Sequence, residues 1–439
     1  MKKSYKKYIL RFLLFAVLYL SQQSCNTTEP PPINEYSLNL KLEDVSCTEA
    51  WIQFTSTGLG LPNTLTLYVD DKVSETISLS TEDTLLYIDS LLPNRTYKIL
   101  VAIKQPDDES NKLSIKTMDT TSHNFTWQTW TFGGQAGSCT LYDVAIINEN
   151  DIWAVGEINI ADTSQNGYTT YNAVHWDGEI WELKRIQALF RGNIITVRLE
   201  SVFAFSSTDI WMVGSLPIHG DGFHWTMYDL RTTVDPSLSL SKVWGSNTNN
   251  MYFVGNSGSI AHYNGQSWIK IESGTDLDFV DIYGATDPKS GEQQILTVCT
   301  NSLPLDKGIF KIDGNMAVKI SSEPIQWDLN ALWFIPNRHY YVIGSGIYEK
   351  TDISEILWKD NGFDITHYAT TGIRGNALND VFVTGAFGEF LHFNGVTWKS
   401  YINDLGSFSG SYGGIAVMNN TVVTVGYEGA KAKILMGHR

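Results

Sequence analysis

The chain is 439 residues long, with 43% hydrophobic and 18% charged residues and a formal net charge of −16. This composition is that of a folded protein and excludes a largely disordered chain. The net negative charge disfavours binding to nucleic acid or to an anionic membrane surface, because both repel an acidic protein.

The N-terminus has the organisation of an export signal. Basic residues at positions 2, 3, 6 and 7 precede a mostly apolar stretch from Tyr8 to Leu20, whose uninterrupted part, 12–20, is too short to span a bilayer. Residues 21–25 then read Ser-Gln-Gln-Ser-Cys. A small residue directly before Cys25 resembles the cleavage site of bacterial lipoproteins, although Gln22 stands where that family has an aliphatic residue.

This resemblance implies a signal peptide over residues 1–24, a lipid attached to Cys25, and a polar tether over residues 25–34. The tether contains the stiff sequence NTTEPPP. We therefore expect a protein held at the outer membrane or cell surface by its lipid, which is its one contact with the membrane. A secreted or a periplasmic location is the alternative.

Residues 35–119 predict a β-sandwich. Short alternating strands follow one another over about 85 residues, which is typical of an antiparallel sandwich domain. The run from Leu91 to Tyr97, LLPNRTY, resembles the E–F corner of fibronectin type III domains, and Trp51 falls where that family has an early core Trp. The resemblance implies a fibronectin type III-like domain. Residues 117–123 then form a polar linker.

A repeated unit occupies the rest of the chain. Seven strands each end in an apolar residue followed by a small one, with Thr in the apolar slot of the sixth copy. The second members of these pairs are Gly156, Gly214, Gly255, Cys299, Gly344, Gly385 and Gly426. Their spacing, mostly 41 to 45 residues, predicts a β-propeller with seven blades over residues 120–439.

A second motif recurs inside these units. A His precedes an aromatic residue, then Asp-Gly or Asn-Gly, with a Trp six positions after the His; the copies begin at His175, His262 and His392, and His224 offers a fourth His before an aromatic residue. The Asp-Gly and Asn-Gly pairs predict two-residue hairpin turns. The last unit has three strands before the chain ends, so we expect the alternating segment 125–132 to supply its fourth strand and to close the ring.

These repeats resemble those of secreted bacterial propellers of the two-component-regulator and photosystem-assembly types. The resemblance covers about 315 residues. It implies an all-β fold, a fibronectin type III-like sandwich followed by a seven-bladed propeller, and leaves the ligand open because function resides in sites added to a fold.

Residues of catalytic type are abundant but regularly spaced. One His and one Asp or Asn per blade lie apart around a ring, so we interpret them as structural rather than as a metal site or a catalytic pair. Cys47, Cys139 and Cys299 are an odd number without CxxC spacing, which disfavours a disulfide framework and a metal site; one bridge stays open. We therefore predict no catalytic residue, no metal and no cofactor.

The long first interval of 58 residues is the clearest break in the repeat. Insertions into a repeat are where binding sites usually arise. We expect the first blade's insertion, the linker after it and part of the second blade to share one face of the propeller. The candidate ligand-binding residues are Tyr168, Tyr171, Lys184, Arg185, Phe190, Arg191, His219 and Asp221.

The sequence thus favours a non-catalytic, monomeric recognition or scaffold module. Its expected ligand is a protein or a carbohydrate at the cell surface, bound through propeller loops. A secreted propeller glycoside hydrolase or lyase that acts on polysaccharide is the alternative, and a structural subunit of an envelope assembly is a third possibility.

Overall fold

The computed structural model describes residues 36–103, 109–302, 305–361 and 365–439. The predicted signal peptide, Cys25 and the tether lie outside these ranges. The described chain divides into two compact units. Its secondary structure is almost entirely β, with one short helix, α1 (Leu230–Thr233), in the described part. Within the described ranges, no helix has the length and apolarity needed to cross a membrane.

The first unit contains two β-sheets. Their strands are β1 (Ser37–Val45), β2 (Ala50–Thr57), β3 (Asn63–Val69), β4 (Lys72–Leu79), β5 (Asp83–Ile88), β6 (Thr96–Ala102) and β7 (Leu113–Lys116). The strand orders are β1-β2-β5 and β4-β3-β6-β7. Buried residues alternate along the strands, as Leu65 and Leu67 do in β3, because successive side chains of a strand point to opposite faces.

The second unit is a ring of seven sheets, which we call blades one to seven. Five of them have four strands in chain order. These are β9 (Thr140–Asn148), β10 (Asp151–Ala161), β11 (Tyr168–Trp176) and β12 (Trp181–Lys184) in blade one; β19 (Leu240–Asn247), β20 (Asn250–Gly255), β21 (Ile260–Tyr263) and β22 (Trp268–Lys270) in blade three; β23 (Asp278–Thr286), β24 (Gln293–Ser302), β25 (Leu305–Asp313) and β26 (Met316–Ile320) in blade four; β27 (Leu329–Ile335), β28 (His339–Gly344), β29 (Gly346–Lys350) and β30 (Lys359–Asp360) in blade five; and β31 (Thr370–Ala377), β32 (Asp380–Gly385), β33 (Phe390–Phe393) and β34 (Trp398–Ser400) in blade six.

Blades two and seven depart from this plan. Blade two has β15 (Ser201–Ser206), β16 (Asp209–Val213), β17 (Pro217–Gly220) and β18 (Trp225–Met227), and an added hairpin of β13 (Ala188–Phe190) and β14 (Asn193–Ile195) at its outer edge. Blade seven has β35 (Ser411–Met418), β36 (Thr421–Glu428) and β37 (Lys431–His438), with β8 (Thr126–Phe132) as its outer strand.

The ring closes as the sequence predicts. Strand β8 pairs antiparallel with β37, so that Trp130 lies opposite Ile434. The first strands of successive blades are in contact all the way round, and the contact of β35 with β9 completes the circle. The all-β fold with a seven-bladed propeller closed by an N-terminal strand is confirmed.

The predicted two-residue turns are wrong for the His-containing motif. In blade one the paired residues are Trp176 and Trp181, so four residues form the turn. Asp177 accepts hydrogen bonds from the backbone N–H groups of Glu179 and Ile180, and only the glycine of the Asp-Gly pair, Gly178, has a positive φ. A side-chain acceptor at the first position stabilises this longer turn, so a second positive φ is not required.

The small residue that ends each second strand is explained by a backbone contact. In six blades the first strand carries a β-bulge opposite the end of the second strand, and in five of them the Gly of the repeat faces the backbone at that bulge. A Cβ at Gly344 would lie 1.8 Å from the carbonyl oxygen of Asp328. Blade four accepts the larger Cys299 in this slot, where its side chain is fully buried.

Candidate functional site

The repeated histidines form one structural unit per blade. In blade one, Nε2 of His175 donates to Oδ1 of Asp151 at 2.8 Å, and the imidazole stacks on Trp153 with ring centroids 4.4 Å apart. The carboxylate of Asp151 also accepts a hydrogen bond from Ser207 of blade two. The unit therefore joins two strands of one blade to the next blade. The same His stacking and hydrogen bond occur at His219, His262 and His392.

Blade five contains the same unit with its polar partners exchanged. His339 occupies the slot that holds Asp or Asn in blades one, two, three and six, and Glu349 occupies the slot of the His; the two are 3.1 Å apart. Burial alone would raise the pKa of Glu349, but hydrogen bonds and charge from His339 and Lys359 lower it to about 2. The preserved pair supports the structural interpretation of these residues.

The structure corrects the placement of two predicted site residues, His219 and Asp221. His219 lies on β17 as the repeated His of blade two, bonded to Asp209 at 2.9 Å. Asp221 caps the turn between β17 and β18, at the opposite end of the blade from the connections expected to carry the site. The Trp six positions after His219 is Trp225, so the motif is present in the sequence. In this copy Gly220 stands where the other copies have an aromatic residue, because the ring of Trp225 occupies the space of a side chain there. The motif is therefore difficult to recognise in the sequence.

The other predicted residues fall into three places. Tyr168 and Tyr171 lie on β11 near the turn of residues 162–167. Phe190 and Arg191 lie at the tip of the added hairpin, where Arg191 donates to Asp229 beside α1. Lys184 and Arg185 lie at the end of blade one, where they line a cavity shared with blade two.

We call this cavity the rim groove. It has a volume of about 860 Å³ and lies between blades one and two. Trp153 and Trp225, both buried, meet edge to face in its lining with centroids 6.0 Å apart. The added hairpin contributes Leu189 and Ile194, and the turn between β17 and β18 contributes Phe223 and His224.

Apolar side chains of the rim groove are exposed to an unusual degree. Phe223 is 85% exposed, Ile194 62% and Leu189 45%. Lys184 pairs with Glu182 at 2.5 Å, whereas the exposed Arg185 has no hydrogen bond or ion pair with the described residues. The groove thus combines a solvent-exposed apolar surface with an uncommitted positive charge. Exposed apolar surface of this kind marks interaction sites.

A second cavity, of about 420 Å³, lies in the central channel. The bulged residues of the first strands of six blades line this cavity. A bulge interrupts the regular alternation of the strand, so that its extra residue faces the channel. These residues are Tyr142, Ser241, Val280, Asn330, Thr371 and Gly413.

One level of the channel carries charged residues in three blades and small residues in the other four. At the register position opposite the first residue of each repeated pair, which is Thr384 in blade six and apolar elsewhere, blades one to seven carry Asp143, Ser201, Lys242, Asp281, Ala331, Gly372 and Gly414. Arg374 of blade six reaches Asp281 with two hydrogen bonds of 2.8 and 3.0 Å. Burial alone would lower the pKa of Arg374, but the Asp281 carboxylate outweighs it and raises that pKa.

The blades also differ in the turn between second and third strands. In blade three, Ser257 adopts a left-handed conformation with φ of 52°. Phe387 occupies the matching position in blade six, with φ of 55°. The centroids of the Phe387 and Tyr368 rings are 4.9 Å apart. These two aromatic residues line a third cavity, of about 510 Å³.

No protein-family model matches the chain, and no curated protein does. Among solved structures, it is similar to "YCF48 bound to D1 peptide", with a TM-score of 0.52 and 17% identity over 73% of this chain and 96% of that chain. For YCF48 from Cyanidioschyzon merolae the TM-score is 0.51 and the identity 16%, over 71% and 98% of the two chains. The WD40 repeats of RRP9 give 0.47 and 8%, over 72% and 99%. The likeness to the two YCF48 structures, at these identities, shows the propeller fold alone.

Two features of these cavities escaped the sequence analysis. The added hairpin of blade two has no turn motif beyond Arg191-Gly192, both with positive φ. The bulges leave no residue pattern of their own on the first strands. The one sequence feature that indicates a bulge is the small residue that faces it on the neighbouring strand.

Proposed function

We propose that this protein is a non-catalytic recognition module that binds a segment of a partner protein in the rim groove. The observation that carries the proposal is the added hairpin, which builds an apolar wall where the other blades end at their fourth strand.

The residues that line the rim groove determine which kind of peptide segment would bind there. Phe223, Ile194 and Leu189 offer apolar contact to a side chain of the partner, and burial of such surface is the main source of affinity in a protein interface. Arg185 has donors to spare, so an acidic residue beside the apolar one would pair with it. The proposed ligand is therefore a peptide segment with an apolar residue next to an acidic one.

The similar structure described as YCF48 bound to D1 peptide supports a propeller as a peptide-binding scaffold. We extend the proposal to the parts of the chain that precede the propeller. A lipid on Cys25 would hold the protein at the outer membrane or cell surface, and a fibronectin type III-like domain over 35–119 would act as a spacer. This arrangement would present the propeller to proteins of the extracytoplasmic space.

A phage-displayed library of random peptides, selected on the mature protein, tests the binding site. We expect selected peptides to carry an apolar residue beside Asp or Glu. We also expect Phe223→Ser to weaken their binding at least about tenfold, or roughly 1.4 kcal/mol, since this ring is the most exposed apolar group of the groove.

Val73→Ser is the matched control, because Val73 is 62% exposed in the first compact unit, outside the propeller. It should leave peptide binding unchanged. Peptides that bind the Phe223→Ser protein as well as the wild type would contradict the proposal. So would the absence of any selected peptide together with binding of a glycan that Phe223→Ser abolishes, which would make the groove a carbohydrate site.

A further inference from the structure

We propose that blade six carries a binding site for a neutral sugar, separate from the rim groove and independent of the protein ligand proposed for it. The site is the third cavity, which we call the aromatic cleft. It is lined by Tyr368, Phe387, Phe408, His367, Asn403 and Ser407, together with Ile402 and Gly406.

The first argument is conformational. Phe387 has φ of 55°, a left-handed conformation that is a genuine outlier for a bulky residue. Blade three forms the same turn, in which Gly255 and Ser259 are bonded as Gly385 and Glu389 are in blade six, and it places the small Ser257 there. Blade six therefore carries a strained aromatic residue where a small polar one suffices for the turn. Strain of this kind is retained where it serves a function.

The second argument is exposure. The Phe387 ring is 53% exposed and that of Tyr368 43% exposed, so neither residue is explained by core packing. The fully buried carboxylate of Glu389 accepts hydrogen bonds from the backbone N–H groups of His367 and Tyr368, at 2.6 and 3.1 Å. This carboxylate holds the loop that presents Tyr368 beside Phe387. The two rings thus form a prearranged, solvent-exposed aromatic wall.

The third argument is the chemistry of the remaining lining. Asn403 and Ser407 are exposed, and their side chains have no hydrogen bond with the described residues. Among the residues that the structure describes, the lining contains no Asp, Glu, Lys or Arg, which favours an uncharged ligand. A pyranose ring has an apolar face of C–H groups that packs on the electron-rich face of an aromatic ring. Its hydroxyl groups would bond to the Asn403 amide and the Ser407 hydroxyl.

Titration calorimetry with neutral hexasaccharides of glucose, mannose and xylose, α- and β-linked, tests this site on the mature protein. Hexagalacturonate serves as a charged comparison. We expect binding of at least one neutral oligosaccharide and none of hexagalacturonate. Phe387→Ser should weaken the binding at least about tenfold.

The Phe387→Ser variant copies the residue of blade three, so it should fold with an unchanged or higher thermal midpoint. Loss of binding in this variant then reports on the ring rather than on misfolding. Tyr368→Ala should weaken binding as well, whereas Phe223→Ser in the rim groove should not. The proposal is overturned if no neutral oligosaccharide binds, if Phe387→Ser binds as the wild type does, or if the cleft binds an aromatic peptide instead. None of these outcomes bears on peptide binding in the rim groove.

Discussion

The charged residues of the channel are held by partners from several blades. Asp143 of blade one accepts from the Ser201 hydroxyl of blade two at 2.5 Å and lies 3.4 Å from the ammonium of Lys242 in blade three. Asp281 of blade four accepts from the Leu332 N–H of blade five and from Arg374 of blade six. Each carboxylate thus ties three blades together, and for Asp281 this role accounts for its burial.

Asp281→Asn should destabilise the propeller by about 3 kcal/mol, because it leaves the Arg374 guanidinium without a counter-charge in a largely buried site. The urea midpoint measures the loss. Glu182→Gln is the control, since the Glu182–Lys184 pair is exposed and is expected to contribute less than about 1 kcal/mol. Equal midpoints for the two variants would show that the channel ion pair contributes no more than a surface pair.

The linker before β8 is joined to blade six by two histidines. Nδ1 of His123 lies 2.8 Å from Nδ1 of His392, and Nε2 of His392 is bonded to Asp380. Two nitrogens in contact share one proton, so His392 accepts at Nδ1 and His123 donates. Burial, then the charges of His392 and Lys399, lowers the pKa of His123 to about 4 from 6.5, and burial also lowers that of His392.

This contact should make the protein less stable in mild acid. Between pH 6.5 and about 4 the unfolded chain binds a proton at His123 that the folded chain does not, so stability falls as the pH falls through this range. From about pH 7 to pH 5 the thermal midpoint of the wild type should drop about 2 °C more than that of His123→Gln. Parallel pH profiles for the wild type and His123→Gln would refute the effect.

At the scale of the element, regular features were predictable and local ones were not. The second strands are predicted by the repeated pair of an apolar and a small residue, as at Val155-Gly156. These strands are buried on both faces, so their sequences are continuous apolar runs. Asp-Gly and Asn-Gly predict two-residue turns in the His motif, but the turn of blade one has four residues because the side chain of Asp177 caps it. The sequence does not show which end of blade two a residue occupies: His219 and Asp221 lie toward the β17–β18 turn, not at the end where successive blades are connected.

The bulges give a prediction at this scale. Gly344→Ala should lower the free energy of unfolding by at least about 3 kcal/mol. The new Cβ would lie 1.8 Å from a backbone oxygen that cannot move without breaking the bulge. Cys299 occupies the same slot in blade four. Cys299→Ala keeps the Cβ and should therefore lower the free energy of unfolding by only about 1 kcal/mol. Denaturant unfolding compares the two. A Gly344→Ala protein as stable as Cys299→Ala would mean that the close approach does not determine the repeated Gly.

At the scale of the whole molecule, stability depends on the closure of the ring. A ring whose last blade lacked its outer strand would expose a sheet edge and the apolar surface beside it. Strand β8 covers that edge, and Trp127 packs on Phe390 and Tyr401 of blade six with centroids 5.1 Å apart. The N-terminal and C-terminal strands of the propeller therefore stabilise each other.

Two adjacent proline substitutions test the closure. Gln128 and Thr129 are neighbours on β8 with exposed side chains, and in an antiparallel pair alternate N–H groups point to the partner strand. One of Gln128→Pro and Thr129→Pro should therefore lower the thermal midpoint by several degrees, through the loss of a ladder hydrogen bond. The other should resemble the wild type, because its N–H points to solvent. Two variants with wild-type midpoints would show that β8 is dispensable.

Hydrogen–deuterium exchange of the protein, with and without a selected peptide, tests the proposed recognition role most directly. If the rim groove is the binding site, protection on binding should map to residues 184–195 and 222–226 and leave the corresponding segments of the other blades unchanged. Protection confined to the channel strands or to blade six, with 184–195 unaffected, would contradict it.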